Sequence, residues 1–458
     1  MSNSGNPLDR KADRLLHRMT GWKLLRMSGL VLFLVLCGVV LFPWDIKPVE
    51  APDLELKIPE IDPADNAFTW FEKAARVQGA SIPGQTQQRT GLFCGIVRSD
   101  KWDSASAAKV LVANAAVFPD LEKGLACQQC ILSQSDSVEM RLAGLRKCKS
   151  LAELLCLKST QALQTGDYAG SAEAAFQAFR LGELVAGGSS VLMEWVAGME
   201  LQCLAVECLK NLAADARTPD PVLEEIKASL GKWNPDKVVE GYKNAIRGEY
   251  TYGDRKPFRG EYTFIGSLMA RVHRQKSHGW KSALAGIPYY FKPNMMRRKM
   301  IEIYRSQIQV AGLPRSQART VNSAQSLPSG STMIGRLAYR FGMNRVGETI
   351  CYWGTVKIRM ISSQESQLES NISVLRMKIA LRQYEKQHGQ WPDSLQALVP
   401  EFTDKIPIDP MEASPAFDYV KNYKQIRPLF LPMRDTYSCL RSQGETTGNP
   451  WSSLWFKE

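Results

Sequence analysis

Histidine is nearly absent from this chain, with four residues (His17, His273, His278 and His388) in 458. So little imidazole leaves few candidates for a metal ligand or a general base. No phosphate loop, dinucleotide fingerprint, Gly-x-Ser-x-Gly elbow or His-Glu-x-x-His pair occurs, so none of these motif-bearing chemistries has residues to rest on. The ten cysteines are irregularly spaced along the chain, which excludes a small disulfide-stapled scaffold. A length of 458 residues, 44% hydrophobic and 23% charged, is enough for two or three globular domains and is unlike a disordered composition. No cofactor is implied by any of this.

Long apolar runs are also scarce. The exception is Met27 to Trp44, "MSGLVLFLVLCGVVLFPW", uncharged between Arg26 and Asp45. It has the length of a minimal bilayer span, roughly 17–25 residues, with Trp22 and Trp44 placed as interfacial aromatics about one bilayer apart. Six basic residues (Arg10, Lys11, Arg14, Arg18, Lys23, Arg26) precede it, and two (Lys47, Lys57) lie in 45–65. That bias predicts a basic cytoplasmic tail 1–26, a transmembrane anchor 27–44 and an exported remainder. A cleaved signal peptide would need small residues where the chain reads "VVLFPWD", and a lipoprotein would need one where Leu36 precedes Cys37. The expectation is an uncleaved signal anchor in a bacterial inner membrane, N-terminus cytoplasmic, bulk periplasmic.

Prolines 43, 48, 52, 59 and 63 predict an extended linker 45–65, within which "DLELKI" alternates as a short strand would. A helical domain follows over 66–235. Its most informative part, 150–211, predicts three helices broken at "TGDY" (165–168) and "GGSS" (187–190). The piece "GDYAGSAEAAFQAFRL" resembles the second helix of a tetratricopeptide repeat, with Ser171 and Ala178 where paired helices approach closely, in a single convincing copy.

Glu194 and Glu200 interrupt the apolar third helix. They read either as buried acids or bases, or as partners of a cation such as Arg180, or as an exposed stripe. Cys127 and Cys130 form "CQQC"; without a second cysteine pair this builds no tetrahedral zinc site, which leaves redox chemistry, a structural disulfide or plain thiols.

Residues 243–345 carry nineteen Lys and Arg against four Asp and Glu, with aromatics interleaved, as in "RVHRQKSHGWK", "MMRRKM" and "GRLAYRFGMNR". In an exported domain such a surface fits anionic lipid headgroups or an acidic protein, and nucleic acid is a poor candidate. The alternative is a solvated surface with no partner. The boundaries expected from charge are 236–345 for this basic region, with a Ser/Gly/Pro-rich loop at 313–331, and 346–458 for the C-terminal part.

That last part holds "LRQYEKQHGQWPDSLQALVPEFTDKIPIDP" (381–410). A long helix, with Leu368, Ile372, Leu375 and Ile379 on one face, should end at Gly389 in a left-handed cap. Trp391 and Pro392 make a turn, a short helix starts at Pro392, and Pro400, Pro407 and Pro410 hold the exit extended. Trp391, Leu395 and Leu398 are expected to fold back onto the long helix as a cap, bordered by Tyr384 and Tyr419.

With Ala380, Asp409 and Pro410 added, these positions resemble the C-terminal part of type II secretion pseudopilins, over about 375–420. The N-terminal anchor is not contiguous with this helix and lacks the pseudopilin processing signature. The whole layout resembles a group of single-pass membrane proteins of planctomycetes and their relatives. That likeness implies an envelope protein and carries no activity; the anchor, the hairpin turns and the missing catalytic set make a non-enzymatic protein that binds partners in the cell envelope the leading expectation. The fold expected is mainly α, with an N-terminal transmembrane helix, a tetratricopeptide-like hairpin and a small α+β pseudopilin-like end. A component of a secretion or pilus-like assembly and an exported hydrolase using Glu194 or Glu200 are the alternatives.

Overall fold

The computed structural model describes residues 26–33, 46–47, 49–80, 104–132, 138–254, 292–313, 345–407, 417–420 and 425–428. The fold is mainly helical, as expected. Helices α1 (Ala67–Ala80), α2 (Ser104–Ala113) and α3 (Phe118–Ala126) precede the long α4 (Val138–Thr165). Then come α5 (Tyr168–Gly187), α6 (Leu192–Ala214), α7 (Asp220–Gly231) and α8 (Pro235–Gly248), the last running into a π-helical turn, Glu249–Asp254. Helix α9 is Pro293–Val310 and α10 is Arg345–His388. Strands β1 (Phe417–Val420) and β2 (Gln425–Pro428) form an antiparallel pair with Phe417 opposite Pro428.

The chain divides into two compact units. One draws on Met1–Ala51, Leu268–Glu302 and Ser326–Gly354; the other draws on Pro52–Ser267, Ile303–Gln325 and Thr355–Glu458. Among the described residues no helix is long and apolar enough to cross a membrane. Most of the expected anchor, with Trp22 and Trp44, lies outside the described residues. Residues 26–33 are helical, and Met27, Leu30, Val31, Leu32 and Phe33 are all exposed.

The larger unit is built on the three helices predicted for 150–211. Gly166, at φ 84°, reverses the chain between α4 and α5 in a left-handed conformation that glycine adopts without a Cβ penalty. Asp167 then caps α5, its carboxylate accepting from the Gly170 amide at 2.9 Å. Ser171 and Ala178 are buried, and the Ser159 hydroxyl donates to the Ser171 carbonyl at 2.8 Å, so α4 and α5 do approach closely there. Between α5 and α6 the close approach is tighter. A Cβ on Gly182 would lie 2.8 Å from the Gly198 carbonyl oxygen, and one on Gly198 would lie 2.4 Å from the Ala186 nitrogen. Helix α8, on the basic side of the charge boundary, packs on both α5 and α6. Trp195 is fully buried there and donates its indole N–H to the Val238 carbonyl at 3.0 Å.

Segment 53–58 is not a strand. The Leu56 amide donates to the Thr251 hydroxyl at 2.9 Å, so its hydrogen bond goes to a side chain and not to a ladder.

Helix α10 is buried on two opposite faces. Leu368, Ile372, Leu375 and Ile379 line one, each at most 1% exposed. Around that stripe, Asn371 accepts from Lys210 of α6 at 2.8 Å, and Lys386 reaches Asp220 and the Thr218 carbonyl at 2.5 and 3.0 Å. Arg376 and Gln383 bond the Leu230 carbonyl and Glu224 of α7. The other face, Val374, Met377 and Leu381, packs with Leu395, Leu398 and Phe402, and Tyr384 and Trp391 border it.

The C-terminal fold-back therefore exists but uses the face opposite the one expected. The Leu368–Ile379 stripe is already committed toward α6 and α7. The short helix is also briefer than expected: a 3-10 turn, Leu395–Leu398, because Ser394 before it is extended at φ −147° and ψ 158°. Gly389 adopts φ 68°, and its amide closes the last turn of α10 on the Glu385 carbonyl at 2.8 Å. Asp409 and Pro410 lie outside the described residues, and the Tyr419 side chain does too.

Leu398→Ala should destabilise this cap by about 2–5 kcal/mol, the usual cost of emptying a fully buried leucine site. Gly389→Val adds strain from positive φ, since no neighbour within 4 Å would resist the side chain itself. Limited proteolysis should cut both variants near residue 390 faster than the parent. Equal resistance would mean the cap contributes nothing to holding this end closed.

Candidate functional site

The most concentrated polar chemistry in the described chain lies at the N-terminus of α6. Glu194 occupies its first turn and is fully buried. One carboxylate oxygen accepts from Arg141 at 2.8 Å, and the other accepts from the Ser190 amide at 2.7 Å and the Ser190 hydroxyl at 2.8 Å. Arg141, 4% exposed, also donates to the Ser190 hydroxyl at 2.6 Å and lies over the Tyr252 ring at 4.8 Å. A second buried carboxylate, Glu249, accepts from the Leu192 amide at 3.2 Å. Two carboxylates thus sit at the amide end of α6, where the helix dipole favours negative charge, and Arg141 pairs with Glu194.

Local sequence positions each part. Gly188 lets the loop after α5 pass close to the strand-like run at Cys130, since a Cβ there would lie 1.8 Å from the Cys130 carbonyl oxygen. The π-helical turn carries both Glu249, which meets Leu192 of α6, and Tyr252, which meets Arg141 of α4, and such turns place side chains that regular α-helix would rotate away.

Of the residues singled out by sequence, Glu194 is at this centre, but its partner is Arg141 of α4. Arg180 instead meets Glu183 at 3.3 Å and the Cys127 carbonyl at 3.1 Å. Every oxygen of Glu194 is engaged and the group is shut from solvent, so it holds structure and has no substrate access. Glu200 is elsewhere on α6, its carboxyl pushed up by burial, with Lys149 opposing that shift. The two glutamates are not brought together as an acid–base pair.

Cys127 and Cys130 are both free thiols. Cys130 is fully buried beside Cys148 and Glu194, and burial raises it well above the ordinary thiol range; burial also pushes Cys148 up to about 12. Cys203 on α6 is likewise raised to about 12 by burial. A thiolate is the reactive form, so these are inert at neutral pH. Among the described residues no group of three or more His, Cys, Asp or Glu could hold a metal ion.

Arg141, Glu249, Ser190 and Tyr252 escaped the sequence. Their separations, 53 residues from Arg141 to Glu194 and 57 from Leu192 to Glu249, exceed any local pattern. The one legible hint is Ser190 shortly before Glu194, which departs by one position from a capping box. Comparison with known proteins gives no match: no family model, no curated protein and no solved structure matches this chain.

Proposed function

We propose that the chain is a membrane-anchored envelope protein whose exported helical body binds other proteins without catalysing a reaction. The observation that carries this is residues 26–33, where five apolar side chains stand 56–64% exposed on one continuous helical segment. Contiguous exposed apolar surface on a helix fits lipid, and the apolar sequence continues to Trp44. The helical hairpin of α4 and α5 supports a tetratricopeptide-like interaction surface in the larger unit. The locked Glu194 takes away one of the two carboxylates, Glu194 and Glu200, on which the exported-hydrolase alternative rests.

A reporter active only outside the cytoplasm should work when fused after residue 65 and fail when fused before residue 20, on the basic flank that sets orientation. An active reporter at residue 15 overturns the topology. Co-purification from detergent extracts tests the binding role: a well-folded protein that brings down no reproducible partner counts against it.

A second reading has its own support. The 44-residue α10, its left-handed glycine end, the fold-back and the β1–β2 pair follow the order of a pseudopilin C-terminus, which favours a part in a type II secretion or pilus-like assembly. Fractionation that finds the protein only dispersed in the inner membrane argues against it.

A further inference from the structure

The smaller unit places a basic helix beside the exit of the anchor. The Asn294 side-chain amide, in the first turn of α9, donates to the Ile46 carbonyl at 2.8 Å. Ile46 is two residues past Trp44, so at about 3.3–3.6 Å per residue the carbonyl that tethers α9 lies within roughly 7 Å of the chain's expected exit from the bilayer. The headgroup layer itself is about 5–7 Å deep on each side.

Arg298 follows Asn294 at i+4, so both lie on one face of α9, about 6 Å apart along its axis. That face points to solvent: the Arg298 side chain is 63% exposed and only loosely paired with the equally exposed Glu302, at 3.8 Å. Lys299 flanks it, and Lys47, adjacent to the tethering carbonyl, is exposed. On the opposite side Met296 and Met300 are buried, and the Cys351 thiol donates to the Met296 carbonyl at 3.5 Å, fixing which way the helix faces. The acidic groups near this surface are Glu302 and Glu50, both exposed. A surface ion pair as long as Arg298–Glu302 is weak and exchanges readily for a phosphate oxygen.

We propose that Lys47, Arg298 and Lys299 form a binding site for anionic phospholipid headgroups on the exported side of the membrane. The site rests on the anchored reading above, and it narrows the basic region 243–345 to one helix face held at the bilayer surface. Cationic side chains at such a surface each favour anionic lipid by about fivefold, and the effect fades beyond a Debye length of about 8–10 Å.

The test uses the full chain in neutral detergent, titrated with phosphatidylglycerol or phosphatidylcholine, with bound lipid counted by native mass spectrometry. Phosphatidylglycerol should be preferred by roughly tenfold or more, and the preference should shrink as salt rises. Arg298→Gln with Lys299→Gln should bring the two lipids close to parity, whereas Arg298→Lys with Lys299→Arg should keep the preference. Equal binding by the parent, or a preference that survives the glutamine pair, overturns the headgroup site and leaves the anchor standing. A chain that fractionates without membrane and binds neither lipid overturns the anchor and the site together.

Discussion

Arg141→Ala should lower the unfolding free energy by about 3–5 kcal/mol, read as a shift of the urea midpoint with unchanged slope. The reason lies in what remains. Glu194 is fully buried, and the substitution removes the cation paired with it while two acceptor bonds to Ser190 persist. An uncompensated buried carboxylate costs far more than the pair is worth. The matching double variant, Arg141→Met with Glu194→Leu, replaces both charges by apolar groups and should recover most of the loss. If the double variant is no better than the single, the centre contributes through packing of the arginine stem and not through charge. A catalytic Glu194 would show the converse pattern, a stable Glu194→Gln protein that had lost function.

Gly248→Ala is expected to rival that loss. A Cβ at this position would sit 1.5 Å from the Ser190 carbonyl oxygen, where no carbon and oxygen coexist, and the obstacle is backbone. Either α8 or the loop after α5 must move by more than 1 Å, which costs typically 1–3 kcal/mol and more when the shift spreads. Here it spreads, because Ser190 also carries two of the Glu194 bonds. Gly231→Ala is the control. It ends α7 with nothing within 4 Å of the added carbon, and the change should be neutral or gain up to about 1 kcal/mol. Thermal melts of the three proteins decide it; a Gly248→Ala midpoint equal to the parent would mean the two backbones separate freely.

The turns were the most legible part of this fold. Gly166–Asp167 and Gly389 announce themselves because a positive φ and a side-chain cap need particular residues at particular positions. The helices between them follow from apolar spacing. What sequence hid was partnership. The Leu368–Ile379 stripe reads as a face, but nothing in it says whether the cap or α6 and α7 will cover it. A helix buried on both sides shows the more regular face and masks the other. Nothing in the sequence around Arg141 marks it as buried, since burial of a charge depends on a partner half a hundred residues away. Segment 53–58 alternates as a strand does, yet alternation supplies no neighbour to pair with.

The buried thiols bear on timing. At a pKa of about 12, the fully buried Cys148 carries roughly one thiolate in 10⁵ at neutral pH, so the folded protein is nearly unreactive toward oxidants at this site. The unfolded chain has no such shelter, and its cysteines return to ordinary acidity. On the exported topology proposed above, folding is then a race against miscrosslinking, and the winner is set by how fast the core closes over Cys148 of α4. Slow-folding variants would be lost as mixed disulfides long before they were lost to heat.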